Sequence, residues 1–350
     1  FAALTTGDNN TAIGYAALDA NTTASNNTAI GYRALSTEDG NGNNTAIGAD
    51  ALLTLNAGSD SHNTAVGYKA ATAATTATDI TIVGGLAGDA ITTGSGITAV
   101  GMSAGSALTT GGDNTAIGKQ ALKTATTGTG NTAVGKDALE ATTTASNNTA
   151  VGFKSLEANT TGTENTALGT EALDANTTGG YNTGLGRNAL GGNTTASYNT
   201  SVGWNSMLAS TTGDDNSALG YKALNANTTA AGNTAIGFQA LLVNTTGATN
   251  VAVGTSALTA NTEGTGNVAV GRKAMLDHTT GDYNTAVGIS ALENNTTADN
   301  NTAIGKSALK TNTTGTENTA VGTEALNANV TGSYNTAVGM SAMILNTGDH

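Results

Sequence analysis

Three acidic residues, Glu140, Glu157 and Asp174, follow one another at intervals of 17 residues. If the backbone repeats its conformation with that period, their carboxylates form one column spaced by about 4.8 Å, the distance between neighbouring β-strands. Stacked like charges repel, so the column is either a solvated acidic stripe, relieved by a lysine such as Lys154, or neutralised by a cation. Carboxylate oxygens are ligands that calcium prefers. The residues therefore form a candidate calcium column, and we expect no other cofactor.

The remaining residues that could do chemistry are scattered. The chain has no cysteine and three histidines, His62, His278 and His350, which are far apart in the sequence. A zinc site needs several such ligands in one place, and catalysis needs converging groups. We therefore expect the histidines to be solvated surface residues and the chain not to be an enzyme.

The 17-residue interval runs through the whole chain. Repeats built on Asn-Thr-Ala-Val/Ile-Gly start at residues 10, 27, 44, 63 and 80, and then every 17 residues to 335. Counted from these starts, position five is always Gly, position four is always Ile, Val or Leu, and position nine is usually Leu or Met. A fixed period of this kind indicates a solenoid in which each repeat packs only on its neighbours. We predict one array over residues 1–350.

The repeat predicts an all-β fold. Thr-Ala-Val is a short β-prone run, and the glycine after it suits a corner that a side chain would obstruct. Helical repeats usually need about 34 or more residues. The prediction is a parallel β-solenoid, a β-roll or β-helix, of about twenty coils. It is held together by ladders of like residues, which begin with Asn10, Asn27 and Asn44, with Gly14, Gly31 and Gly48, with Ile13 and Ile30, and with Leu18 and Leu35.

Adjacent residues of a strand point to opposite faces, yet positions three and four are both apolar. We expect Val/Ile and Leu to fill the interior, and the alanines to form an outer face at which a second chain packs, as in a homo-oligomeric fibre. Alternatively, the alanines occupy a tight corner without any partner. The alanine column begins with Ala12, Ala29 and Ala46.

One stretch departs from the pattern. Ile80 and Ile97 replace the first asparagine, and Gly88 and Gly105 replace the leucine of position nine. We therefore predict that the irregular segment 79–106 is a bend or a soft point.

Composition excludes other classes. The sequence has 48 Gly, no Pro, 3% aromatic and 11% charged residues, which fits neither an ordinary globular core nor a disordered chain. A net charge of −13 opposes binding to nucleic acid. No apolar run reaches the length of a membrane span, about 20 residues. Both ends fall inside a repeat, so we expect a processed product or a segment of something longer.

The repeat cores at 27–31, 148–152 and 301–305 resemble two related groups. One is the head repeats of YadA-type trimeric autotransporter adhesins. The other is the Asn-Thr-Ala-Val-Gly-x-x-Ala-Leu repeats of phage tail fibres and of surface or filament proteins of marine microbes. The resemblance implies a left-handed parallel β-roll, often trimeric, that holds a binding tip away from a cell or virion.

These observations predict a structural or adhesive module of an extracellular filament, surface adhesin or phage fibre. We expect it outside the cell or on a cell or virion surface, with a host-surface or glycan receptor as a partner. A second hypothesis is a lattice-type binder of ice or glycan. It would use threonine columns, such as Thr11, Thr28 and Thr45, or 160–161, 177–178 and 194–195, and exposed aromatic residues, such as Tyr15 and Tyr32, Tyr181 and Tyr198, Trp204 and Phe238. A less favoured third hypothesis is a polysaccharide-active β-helix enzyme.

Overall fold

Each coil contributes one three-residue β-strand, formed by positions two to four of the repeat. The computed structural model describes residues 3–40, 42–346 and 348 and divides into unit 1, Phe1–Thr178, and unit 2, Gly179–His350. Unit 1 contains β1 Thr11–Ile13, β2 Thr28–Ile30, β3 Thr45–Ile47, β4 Thr64–Val66, β5 Thr81–Val83, β6 Thr98–Val100, β7 Thr115–Ile117, β8 Thr132–Val134, β9 Thr149–Val151 and β10 Thr166–Leu168.

Unit 2 repeats this arrangement with ten further strands. They are β11 Thr183–Leu185, β12 Thr200–Val202, β13 Ser217–Leu219, β14 Thr234–Ile236, β15 Val251–Val253, β16 Val268–Val270, β17 Thr285–Val287, β18 Thr302–Ile304, β19 Thr319–Val321 and β20 Thr336–Val338. Among the described residues, no helix is long and apolar enough to cross a membrane.

Within each unit, consecutive strands pair in parallel and in register, so that each residue faces the same position of the next coil. Thr132 pairs with Thr149 in unit 1, and Thr285 pairs with Thr302 in unit 2. The predicted parallel β-solenoid of 17-residue coils is therefore confirmed. The ladder also continues in register through the irregular segment, where β5 pairs with β4 and β6; the bend or soft point there stays a prediction.

At the strand, the buried and the outward-facing side chains are the reverse of those predicted. Alanines of position three, such as Ala29 and Ala46, are fully buried, whereas Ile13 is 59% exposed and Ile30 is only half-buried. The prediction of an interior Val/Ile ladder and an outer alanine face was wrong. The coil is narrow, and leucines such as Leu18 and Leu35, together with asparagines, already fill it. Where leucine fills position nine, a small side chain such as alanine lies under the strand, and the larger branched side chain points outward. In the coil where Gly88 replaces that leucine, Ile82 is buried at position three instead.

The glycine of position five turns the chain after every strand. Gly14, Gly31 and Gly48 have φ of 130°, 139° and 136°, which other residues rarely adopt. A Cβ on Gly31 would lie 2.5 Å from the carbonyl oxygen of Gly48. The predicted corner that excludes side chains is confirmed.

Positions seven, nine and seventeen of the coils are also left-handed, and most of the residues there are not glycine. In the coil that starts at residue 131, Asp137, Leu139 and Asn147 have φ of 58°, 52° and 60°. This conformation costs a non-glycine residue about 1–2 kcal/mol, and burial of a leucine contributes about 1.5–3 kcal/mol in return. Burial of the position-nine leucine therefore offsets the strain of its own corner.

Candidate functional site

Two asparagine ladders run through the interior and share an acceptor. In the predicted ladder of position one, the Asn131 Oδ1 accepts from the main-chain N–H of Asn148 at 3.0 Å, as Asn27 Oδ1 does from Asn44 at 3.0 Å. The Asn148 Nδ2 donates to the Gly162 carbonyl at 2.9 Å. Asn159, at position twelve, donates to the same carbonyl at 3.0 Å.

The ladder of position twelve was not predicted from the sequence. Its residues are buried, and successive side chains bond to one another, as in Asn261 Nδ2 to Asn244 Oδ1 at 2.8 Å. The same asparagines form many Asn-x-Thr sequons, for example Asn21-Thr22-Thr23, in which Asn21 is fully buried. Because such asparagines are buried, we interpret the sequons as by-products of the ladder.

The outward side chains of the strands form an uncharged surface. We call the Val, Ile and Leu side chains of position four the outer stripe; no member of it is buried in either unit. In every coil the neighbouring position two is Thr, Ser or Val, so neither column contains a charged residue. An apolar stripe of this regularity is unusual for a surface in contact only with water.

The two threonine columns differ in their hydrogen bonds. At position thirteen, each hydroxyl donates to the next coil, as in Thr228 Oγ1 to the Thr245 carbonyl at 3.2 Å and Thr245 Oγ1 to the Thr262 carbonyl at 3.0 Å. At position two, the column of Thr11, Thr28 and Thr45 makes no side-chain hydrogen bond to another described residue. The position-thirteen hydroxyls are therefore engaged within the protein, whereas the position-two hydroxyls are open to a ligand.

The acidic column is only partly assembled as predicted. Glu140 and Glu157 come together with Asp137, which the sequence analysis missed, and their carboxylate oxygens lie within 4.8 Å of one another. Asp174 is not a member of this group. Sequence spacing could not reveal Asp137, because it belongs to position seven of the same coil and reaches the column across a corner.

Three lysines already pair with this acidic cluster of Asp137, Glu140 and Glu157. Lys136 lies 3.1 Å from Asp137, Lys123 lies 3.0 Å from Glu140, and Lys154 lies 3.0 Å from Glu157. The hydrogen bond and charge of Glu157 raise the pKa of Lys154, which keeps it protonated. The geometry therefore agrees with relief of repulsion by lysine, and a calcium ion there stays a prediction.

Asp174 lies in a different environment. Burial raises its pKa, and the nearby carboxylates of Glu171 and Glu157 act in the same direction. The uncharged acid is therefore favoured relative to a solvated aspartate.

One histidine prediction was wrong. His62 has a side chain that is 63% exposed, as expected, but His278 is completely buried. It occupies position twelve, in place of an asparagine, between Asn261 and Asn295. The position of His350 lies outside the described residues.

Exposed aromatic residues stack along the coils. The ring centroids of Tyr15 and Tyr32 are 5.5 Å apart, and those of Tyr181 and Tyr198 are 5.1 Å apart. Tyr221, which the sequence analysis omitted, lies between Trp204 and Phe238 at centroid distances of 5.5 and 5.2 Å.

The irregular segment keeps a packed interior. A Cβ on Gly88 would lie 2.6 Å from Ile91 Cδ1 and 3.2 Å from Ile82 Cδ1, so two isoleucines, at positions twelve and three, fill the space that the leucine of position nine occupies elsewhere. Gly105 and Leu108 are related in the same way, with 2.9 Å between that Cβ position and Leu108 Cδ1.

No cavity is found in the part of the chain that the structure describes. Neither the scan against protein families nor the search of curated proteins finds a match for this chain.

Proposed function

We propose that the chain is a structural or adhesive repeat module of an extracellular filament, a surface adhesin or a phage fibre, acting outside the cell or on a cell or virion surface. The observation that supports this most is the uniformity of the coils. Most are bonded to their neighbours through the same asparagine ladder, and each presents the same uncharged outer stripe. Such a module adds length and surface with every repeat.

The proposal includes self-association, with the outer stripe as the contact. Burial of apolar surface contributes about 25 cal/mol per Å², and the stripe supplies a branched side chain in every coil of each unit. It takes the place of the alanine column, which is interior. A trimer, which the resemblance implies, would bring three stripes together around one axis.

The test is the mass of the full chain in solution, measured by light scattering over a range of concentrations. We expect an oligomer for the wild type and dissociation for a variant with Val253→Lys and Val270→Lys. The matched control is Thr255→Lys with Thr323→Lys, which adds the same charge at position six, beside the stripe. A wild-type monomer at all concentrations would contradict self-association.

A lattice-type binder of ice or glycan is the second candidate. It is favoured by the position-two hydroxyls, which have no partner among the described residues and repeat in register beside the outer stripe. Absence of thermal hysteresis and of binding on a glycan array would dispose of it. The array also tests a glycan receptor for the adhesive function.

Catalysis is not part of the proposal. The alternative of a polysaccharide-active enzyme is tested by incubating the chain with anionic glycans, and release of shorter products would overturn our view.

A further inference from the structure

His278 is bonded through both ring nitrogens inside the position-twelve ladder. Its Nε2 lies 2.7 Å from the Gly281 carbonyl oxygen, which can only accept, so Nε2 donates. Its Nδ1 lies 3.0 Å from the Asn295 Nδ2. Because the amide nitrogen is a donor, Nδ1 accepts and carries no proton. The two contacts together fit only the neutral ring.

A second proton would have no acceptor. It would bind at Nδ1 and face the amide hydrogens of Asn295. Reversing that amide would direct Asn295 Oδ1 at the Ala298 carbonyl, to which Nδ2 now donates at 3.1 Å. It would also remove the bond from Asn312 Nδ2 to Asn295 Oδ1, at 3.3 Å. No orientation of the amide therefore satisfies all these groups.

The ladder is already weakened on the other side of the histidine. Where position twelve is asparagine in successive coils, Oδ1 can accept from the next side chain, as Asn244 does from Asn261. The Asn261 Oδ1, which precedes His278, is buried without a partner among the described residues. Asn267 also donates to the Gly281 carbonyl, at 2.9 Å, so a change at His278 reaches both ladders.

The nearest charges do not remove the penalty. Asp282 and Asp299 attract a protonated ring, but burial has the larger effect, so the pKa of His278 is lowered. The carboxylates are engaged elsewhere: Asp282 Oδ1 accepts from the Thr265 N–H at 2.7 Å, and Asp299 Oδ1 from the Asp282 N–H at 2.8 Å.

We propose that His278 is an acid-sensitive rung, whose protonation opens the coils around residues 262–300 while the rest of unit 2 stays folded. This device goes beyond the proposed function and does not depend on it. The sign follows from the two states. The ring is neutral when folded and binds a proton when the coil opens, so stability is retained above the open-state pKa of about 6.5 and lost as the pH falls below it.

The test is amide hydrogen exchange of the full chain, followed by mass spectrometry of peptides from 262–300 and corrected for the intrinsic effect of pH. Between pH 6.5 and 5.5 we expect the opening constant of these peptides to rise about fivefold, because half of the open-state rings are already protonated at pH 6.5. The His278→Asn variant, which restores the usual residue, should lose this rise. The His62→Asn variant, in which an exposed histidine is removed, should keep it.

A transfer variant separates this effect from a general response to acid. Asn244→His places a histidine in another rung of the same ladder, and peptides from 228–266 should then open at acidic pH. The proposal is overturned if the wild type shows no such rise, if the rise persists in His278→Asn, or if the transferred histidine has no effect.

Discussion

A Cβ built on Gly135 would lie 2.3 Å from the carbonyl oxygen of Gly152, the residue at the same position of the next coil. Real Cβ atoms do not approach a carbonyl so closely, and Gly135 also has φ of 143°. Contact between successive coils therefore requires glycine at position five, for reasons of both space and conformation.

We expect Gly135→Ala to lower the free energy of unfolding by about 1–3 kcal/mol from backbone strain, with a similar amount from overpacking. Urea unfolding followed by circular dichroism measures this. The control is Gly130→Asn, because position seventeen has asparagine in other coils, such as Asn147, in the same left-handed conformation. Equal stability of the two variants would contradict the argument.

The glycine corner and the first asparagine ladder could be predicted because their columns are nearly invariant. The inside and outside of the strand could not be predicted in the same way. Alternation shows that Ala and Val/Ile face opposite ways, but the choice of interior depends on how much space leucine and asparagine leave. Position twelve, which forms the second ladder, is Asn in most coils but also Ile91, Thr142 or His278. Because of this variation, the ladder could not be recognised from the sequence. The acidic cluster was missed in part because a corner, rather than the 17-residue period, brings Asp137 to it.

The side chains of positions nine and twelve share one interior space, so a small residue at one position can accompany a larger residue at the other. Gly88 is paired with Ile91, whereas Leu122 is paired with Ala125, and the side chains that fill the interior are fully buried in both coils. We expect Gly88→Leu to overpack the interior and lower stability by about 1–3 kcal/mol. Ile91→Ala should leave a cavity that costs about 2–5 kcal/mol.

The double variant has Leu and Ala at these two positions, as at Leu122 and Ala125, while the buried Ile82 stays in place. It should be more stable than the sum of the two changes predicts. A coupling of about 0.5–3 kcal/mol is typical of residues in contact. Chemical unfolding of the four proteins measures the cycle, and additive effects would show that the two positions do not share one space.

The threonine columns can be separated by single substitutions of equal volume. Thr228 donates its hydroxyl to the Thr245 carbonyl, so Thr228→Val should cost about 1 kcal/mol. Thr234, at position two, has no such bond, and Val251 and Val268 occupy its column in the following coils. We expect Thr234→Val to leave thermal stability unchanged, and a larger loss there than at Thr228 would contradict the assignment.

Asp174 predicts a dependence of stability on pH. Because burial raises the folded-state pKa of Asp174, protonation favours the folded state. The contribution of Asp174 to stability is therefore most favourable below its unfolded-state pKa of about 3.9, and it is lost as the pH rises through the folded-state pKa. We expect Asp174→Asn to stabilise the chain at neutral pH and to lose this advantage in acid. Glu164→Gln, at an exposed position, is the control. Unfolding midpoints at pH 7 and pH 4 compare the variants, and a destabilised Asp174→Asn at pH 7 would be inconsistent with the burial effect.

Because lysines already pair with the acidic cluster, we expect no effect of calcium on stability. Lys123, Lys136 and Lys154 each pair with one of the three carboxylates, and a cation would have to displace them. A ligand that binds only the folded state stabilises it by about 2.7 kcal/mol at one hundred times its dissociation constant. We expect millimolar calcium to leave the melting temperature unchanged. A rise that disappears in Glu140→Gln with Glu157→Gln, and persists in Glu164→Gln, would instead establish a calcium site at the cluster.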